Sequence, residues 1–127
     1  MASSKFSISK RLKSFVYAFN GLRILLTEEH NSRIHLLAAI AAVILGCVLQ
    51  INYTEWLSVL FCIGMVISLE LVNSAIENLA DCVSPEKNER IKTVKDMAAG
   101  AVLWGAIIAF VIGTIIFLPK ILNLITQ

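Results

Sequence analysis

Glu70, Asn73, Glu77 and Asp81 lie in the stretch E-L-V-N-S-A-I-E-N-L-A-D, at the end of an otherwise apolar run. At about 100° per residue, the last three sit roughly −60°, −20° and +20° from Glu70. In a helix all four therefore share an arc about 80° wide. A carboxylate in hydrocarbon costs about 2.5–3.5 kcal/mol on the mildest scales and more on others. Such an arc asks for a cation, a proton or a polar substrate at membrane depth.

Two further groups carry matching chemistry. Glu28 and Glu29 close an amphipathic stretch, and Lys95-Asp96 precedes the small-residue run Met97-Ala98-Ala99-Gly100-Ala101. Carboxylates from two elements can hold Mg²⁺, which prefers oxygen ligands and shares its sphere with phosphate and water. A lysine nearby can neutralise phosphate charge, and small residues let helices approach closely. The set suits phosphoryl transfer, where positioning and charge neutralisation do most of the work. A deeper carboxylate, Glu70, can take the proton of a lipid hydroxyl. There is no Walker A pattern and no protein-kinase Gly-rich loop, so a nucleotide site must be of another kind. Plainer readings stand beside this one. Glu70 and Glu77 can be neutral side chains that hold an oligomer together, as in a non-catalytic assembly factor. They can also serve a cation- or proton-coupled transport subunit. Asp81 can simply terminate its helix. His35 reads as a helix-end side chain, and the mixed-sign stretch Glu86–Lys95 as a solvated loop.

The elements that position these residues follow from composition. The chain has 127 residues, 57% of them hydrophobic and 16% charged. That is more apolar and less charged than a soluble domain, and it predicts one all-α integral membrane domain. From Ser7 to about Thr27, apolar residues recur at spacings of three and four, with Lys10, Lys13 and Asn20 off the stripe. This predicts a basic amphipathic helix on the membrane surface. Membrane spans are predicted at about Ile34–Ile51, Trp56–Ala80 and Met97–Leu118, the last closed by Pro119 and Lys120. Tyr53 and Trp56 sit where an interfacial aromatic belt would be. Cys47, Cys62 and Cys82 lack metal-ligand spacing. No cleavable signal peptide is expected, and no basic stripe with interleaved aromatics points to nucleic acid.

Lys and Arg number six before the first span, none between Gln50 and Glu55, four between Asp81 and Asp96, and one in the tail. The positive-inside rule then places the N-terminus and the second connection in the cytoplasm, with the short loop and the C-terminus outward. The polar arc falls in the cytoplasmic half of its span, within reach of cytosolic nucleotide.

The residues Glu70–Glu77 with Asp81 resemble the signature of the small prokaryotic diacylglycerol kinases. Lys95–Val102, Tyr17–Arg23 and Glu28–His35 are similar to further blocks of that family, and the likeness runs from about Lys10 to Leu118. It implies an integral kinase of the bacterial inner membrane with three spans and a surface helix, assembled as a homotrimer with active sites between subunits. Such a kinase moves the γ-phosphoryl of Mg·ATP to a lipid hydroxyl. Carried onto this chain, the likeness makes Glu70 the catalytic base and Asn73 a polar neighbour of the reacting groups. Glu77 and Glu29 become the metal-binding carboxylates, with Glu28 the alternative to Glu29. Lys95, Asp96, Tyr17, Glu86 and Lys10 become nucleotide contacts. Arg33-Ile34-His35 looks more like the branch that phosphorylates undecaprenol, since enterobacterial-type diacylglycerol kinases tend to carry an acidic residue where His35 stands. Diacylglycerol and undecaprenol both offer a primary hydroxyl at the headgroup level.

Overall fold

The computed structural model describes residues 5–127, folded as four helices. These are α1 (Ile8–Glu28), α2 (His30–Val48), α3 (Tyr53–Val83) and α4 (Glu89–Ile125). The last three are each long and apolar enough to cross a membrane. The expected order of one N-terminal helix followed by three long apolar helices is present.

The ends of the helices show how local chemistry sets the boundaries. Ser7 caps α1, its hydroxyl accepting from the Lys10 amide. A single residue, Glu29, separates α1 from α2 and serves both as C-cap and N-cap. Arg33 locks that corner. Its Nε donates to the Leu26 carbonyl (3.1 Å) and its Nη2 to the Thr27 carbonyl (2.6 Å), satisfying acceptors that the end of α1 leaves open. At the far end of α2 the chain turns through Gln50, which has a φ of 51°. The Ile51 amide then donates back to the Gly46 carbonyl at 3.1 Å, the longer bond of a Schellman closure. Asn52 and Glu55 form a reciprocal capping box at the start of α3.

One expectation is corrected, and two helices run past the expected spans. Helix α3 begins at Tyr53 and runs on to Val83, enclosing the predicted Trp56–Ala80. The mixed-sign stretch is a loop only as far as Asn88. That residue accepts from the amides of Arg90 and Ile91 and starts α4 at Glu89, so Glu89–Lys95 is helical. Pro119 does not end the helix, since α4 continues through it to Ile125. A proline deletes one backbone donor, but in a helix suited to hydrocarbon any other route leaves more polar groups unpaired.

Packing is strongest between α3 and α4. Near the short loop, Ile51, Val59, Ile116 and Phe117 form the buried cluster, with Trp56 and Ile112 against it. Further along, Gly105 of α4 lies so close to α3 that a Cβ there would sit 2.6 Å from Leu69 Cδ1. That close approach holds α4 beside the turn that carries Glu70. Large apolar side chains such as Phe61, Trp104 and Phe110 stay exposed on the long helices, as do Leu12, Phe15 and Phe19 on α1.

Candidate functional site

Glu70 is the buried polar centre of the molecule, with only 5% of its surface exposed. Two side chains of α2 reach it from one helical turn. Ser32, itself buried, donates its hydroxyl to Glu70 Oε2 at 3.3 Å. His35 places Nε2 3.0 Å from Oε1. Leu22, Leu25 and Leu26 of α1 cover this group, and with Ser32, His35 and Glu70 they bound a small cavity of about 150 Å³. The end of α1 is thus a roof over the carboxylate. A second cavity, about 270 Å³, opens between α2, α3 and α4. Its lining is apolar and small, including Ala38, Ala42, Ala109 and Gly113, and His35 stands in its wall.

One turn beyond Glu70, Asn73 Nδ2 donates to Glu77 Oε1 at 3.5 Å. Asn73 Oδ1 and the Ser74 hydroxyl are buried and, among the described residues, have no hydrogen-bond partner. Buried polar atoms are nearly always hydrogen-bonded, so these two are open to water or another polar group. At the end of the arc, Asp81 is paired with Lys95 Nζ across the loop. Lys95 precedes the apolar run from Met97. Its hydrogen bond to Asp81 raises the ammonium above the ordinary lysine range. The attraction of Asp81 and Glu77 adds to that, while partial desolvation opposes it. Asp96 pairs instead with Lys92 at 2.8 Å, an exposed pair one turn apart.

The structure therefore brings Glu70, Asn73, Glu77, Asp81 and Lys95 into one line along α3 and the start of α4. Glu29 stands half-buried at the α1–α2 corner, whereas Glu28 is exposed as the last residue of α1. Tyr17, Lys10 and Glu86 are exposed, and among the described residues no side-chain hydrogen bond or ion pair joins them to the arc. His35 is not a mere helix-end side chain, because α2 begins earlier, at His30, and presents His35 to Glu70. Ser32 and Ser74 were not foreseen. A lone serine in an apolar helix ordinarily bonds its own backbone, but Ser74 lies about 40° from Glu70 and so belongs to the same face.

Among the described residues, no three His, Cys, Asp or Glu side chains gather as a metal cluster. What the arc offers is the Glu77 carboxylate and the unpartnered Asn73 Oδ1, one turn apart. Such a sparse, hard-oxygen donor set does not suit a dedicated all-protein cage. It fits a cation that brings its own water and phosphate oxygens, as Mg²⁺ does.

Residues 16–117 match the family model described as prokaryotic diacylglycerol kinase. The chain is 39% identical to the undecaprenol kinase of Bacillus subtilis (strain 168) over 114 residues, which is 90% of this chain and 93% of that one. It is 34% identical to a diacylglycerol kinase of Synechocystis, over 89% of this chain and 65% of the relative. With the diacylglycerol kinase of Escherichia coli (strain K12) it shares 29% identity over 87% of this chain and 91% of the relative. With the family model matched over most of its length and these kinases among its relatives, the chain is a lipid kinase of the prokaryotic diacylglycerol kinase family.

Proposed function

We propose that the chain transfers the γ-phosphoryl of Mg·ATP to the primary hydroxyl of a membrane lipid, and that the lipid is undecaprenol in preference to diacylglycerol. The observation that carries the reading is the row of polar groups on α3. The buried Glu70 lies about 10 Å from Glu77 along the helix at 1.5 Å per residue, with Asn73 between them. The lipid hydroxyl meets Glu70, whose negative charge draws the proton away. The phosphates lie toward Glu77 and Lys95. Glu77, with Glu29 at the helix corner, holds Mg²⁺, and Asn73 Oδ1 accepts from a metal-bound water or the incoming hydroxyl. Mg²⁺ supplies charge neutralisation on the phosphates. Asp96, Tyr17, Glu86 and Lys10 contribute nucleotide contacts from the same side of the membrane.

The apolar cavity below His35 gives the lipid tail a path into the bilayer. His35 itself favours the polyprenol, since an imidazole stands where the diacylglycerol branch tends to have an acid. The working form is a homotrimer in the bacterial inner membrane, with the N-terminus and site cytoplasmic and the C-terminus outward. In it α1 lies on the headgroups through Leu12, Phe15 and Phe19. A transport role is not favoured. Helix α3 runs unbroken for 31 residues, whereas transport sites form where helices break.

One assay tests the reading. The purified protein in mixed micelles receives labelled ATP, Mg²⁺ and either undecaprenol or diacylglycerol. Phosphorylated undecaprenol in excess is the expected product. Excess phosphatidic acid would reverse the substrate order, and no product from either lipid in a folded preparation would sink the proposal.

A further inference from the structure

Gly105 and Gly113, about two turns apart on α4, have opposite surroundings. A Cβ at Gly105 would strike Leu69 at 2.6 Å, so that glycine serves close packing, whereas a Cβ at Gly113 would meet nothing within 4 Å. Glycine is a poorer helix former than alanine, and packing does not require it at Gly113. Gly113 opens instead onto the apolar cavity of about 270 Å³ between α2, α3 and α4, beside Ala106 and Ala109 and opposite Ala38 and Ala42. Val59 and Phe117, both buried in the cluster near the short loop, line its far end. His35 lines its near end and also the chamber that holds Glu70. The cavity is thus a slot that starts at the candidate site and follows α4 from Ala106 to Phe117, about 16 Å at 1.5 Å per residue. Apart from His35 and the Cys62 thiol, no side chain lining it carries a polar atom. A cavity so lined stays dry and takes hydrocarbon.

We propose that this slot seats the isoprene units next to the hydroxyl of a polyprenol acceptor, and that Gly113 and Ala109 select that chain by keeping the slot open. This deepens the kinase reading and its substrate order above and rests on both. A partner helix about 10–12 Å across does not fit 270 Å³ spread over that length, but a single chain does. Sites for drug-sized ligands run about 300–1,000 Å³, so two chains side by side do not fit either. A polyprenol presents one chain with a methyl branch on every unit. The notches that alanine and glycine leave between larger side chains receive such branches. An unbranched acyl chain leaves the notches empty and loses their dispersion contacts. Diacylglycerol carries two acyl chains on one glycerol, so at least one of them stays in the bilayer.

The test uses the full chain in mixed micelles with Mg·ATP and either undecaprenol or diacylglycerol. Gly113→Leu fills the slot from a position with free space around its Cβ. It should lower kcat/KM for undecaprenol by about 10-fold, the lower range for one misfitted group in an apolar pocket. The value for diacylglycerol and KM for ATP should stay nearly unchanged. Gly113→Ala should act in the same direction but less, and should melt no lower than wild type. Without ATP, a polyprenol bearing a diazirine on its second isoprene unit should label α4 between Ala106 and Phe117 on illumination, and Gly113→Leu should abolish that label. Equal losses on both lipids, loss of assembly in Gly113→Leu, or a label that survives the substitution would overturn the slot while leaving the kinase reading standing. Wild-type protein that phosphorylates neither lipid would instead remove the kinase reading, and a wild-type preference for diacylglycerol would reverse the substrate order and the slot's role with it. Should Gly113→Leu fail to fold, Gly113→Ala and Ala109→Val carry the test.

Discussion

Replacing Glu70 separates what that residue does for the fold from what it does for turnover. In Glu70→Ala, the buried Ser32 hydroxyl and the His35 ring both lose their partner. Each orphaned group costs about 1–3 kcal/mol, and the missing methylene adds about 0.8 kcal/mol. The loss should therefore be about 3–7 kcal/mol, enough to lower the unfolding midpoint plainly. Glu70→Gln keeps the shape. Its amide oxygen can face His35, and its NH₂ can donate to Ser32 Oγ, since a hydroxyl also accepts. Stability should then stay within about 1 kcal/mol of wild type, while turnover falls by about 10²-fold or more. Unfolding is followed in detergent micelles by the fluorescence of Trp56 and Trp104, and turnover by ADP release. If Glu70→Gln is as unstable as Glu70→Ala, or if it turns over normally, the division between partner-holding and chemistry is wrong.

Four further outcomes are expected. Glu77→Gln should raise the Mg²⁺ concentration needed for half-maximal rate without lowering the unfolding midpoint, and an unchanged Mg²⁺ titration would remove Glu77 from the metal. Lys95→Met should raise KM for ATP with little change in thermal stability, because the Lys95–Asp81 pair is solvent-facing and such pairs contribute little. Melting and ATP titration of that one variant check both halves. Gly105→Ala sets overpacking against Leu69, about 1–3 kcal/mol, against a helix-propensity gain of about 1 kcal/mol. Its midpoint should move little, whereas Gly105→Ile should melt well below wild type and lose activity, because Leu69 adjoins Glu70. Lys120, paired with Glu55 at 3.2 Å at the opposite end of α4 from Lys95, should tolerate Met with unchanged kcat.

What was legible in the residues, and what was not, divides along physical lines. The arc on α3 was visible because four polar positions at spacings of three and four must share a helix face once the segment is helical. Span number was visible because long apolar runs have one stable outcome in a bilayer. The ends of α3 and α4 were not. Asn88 caps α4 with two amide bonds, and that local geometry outweighs the mixed charge of Glu89–Lys95. Pro119 is tolerated for a related reason, since the helix around it has no better backbone partner. The contacts of Glu70 were the least accessible. Ser32 and His35 lie 38 and 35 positions before it in the chain, and only the rotation of α2 about its own axis decides whether they face α3. That rotation is set by the one-residue corner at Glu29 and by Arg33 clamping the end of α1. The same clamp seats Leu25 over Glu70, so residues that carry no chemistry fix the setting of the residue that does. A loosened corner, as in Arg33→Ala, should therefore slow turnover more than it weakens ATP binding, and equal losses in both would show that the corner serves the nucleotide instead.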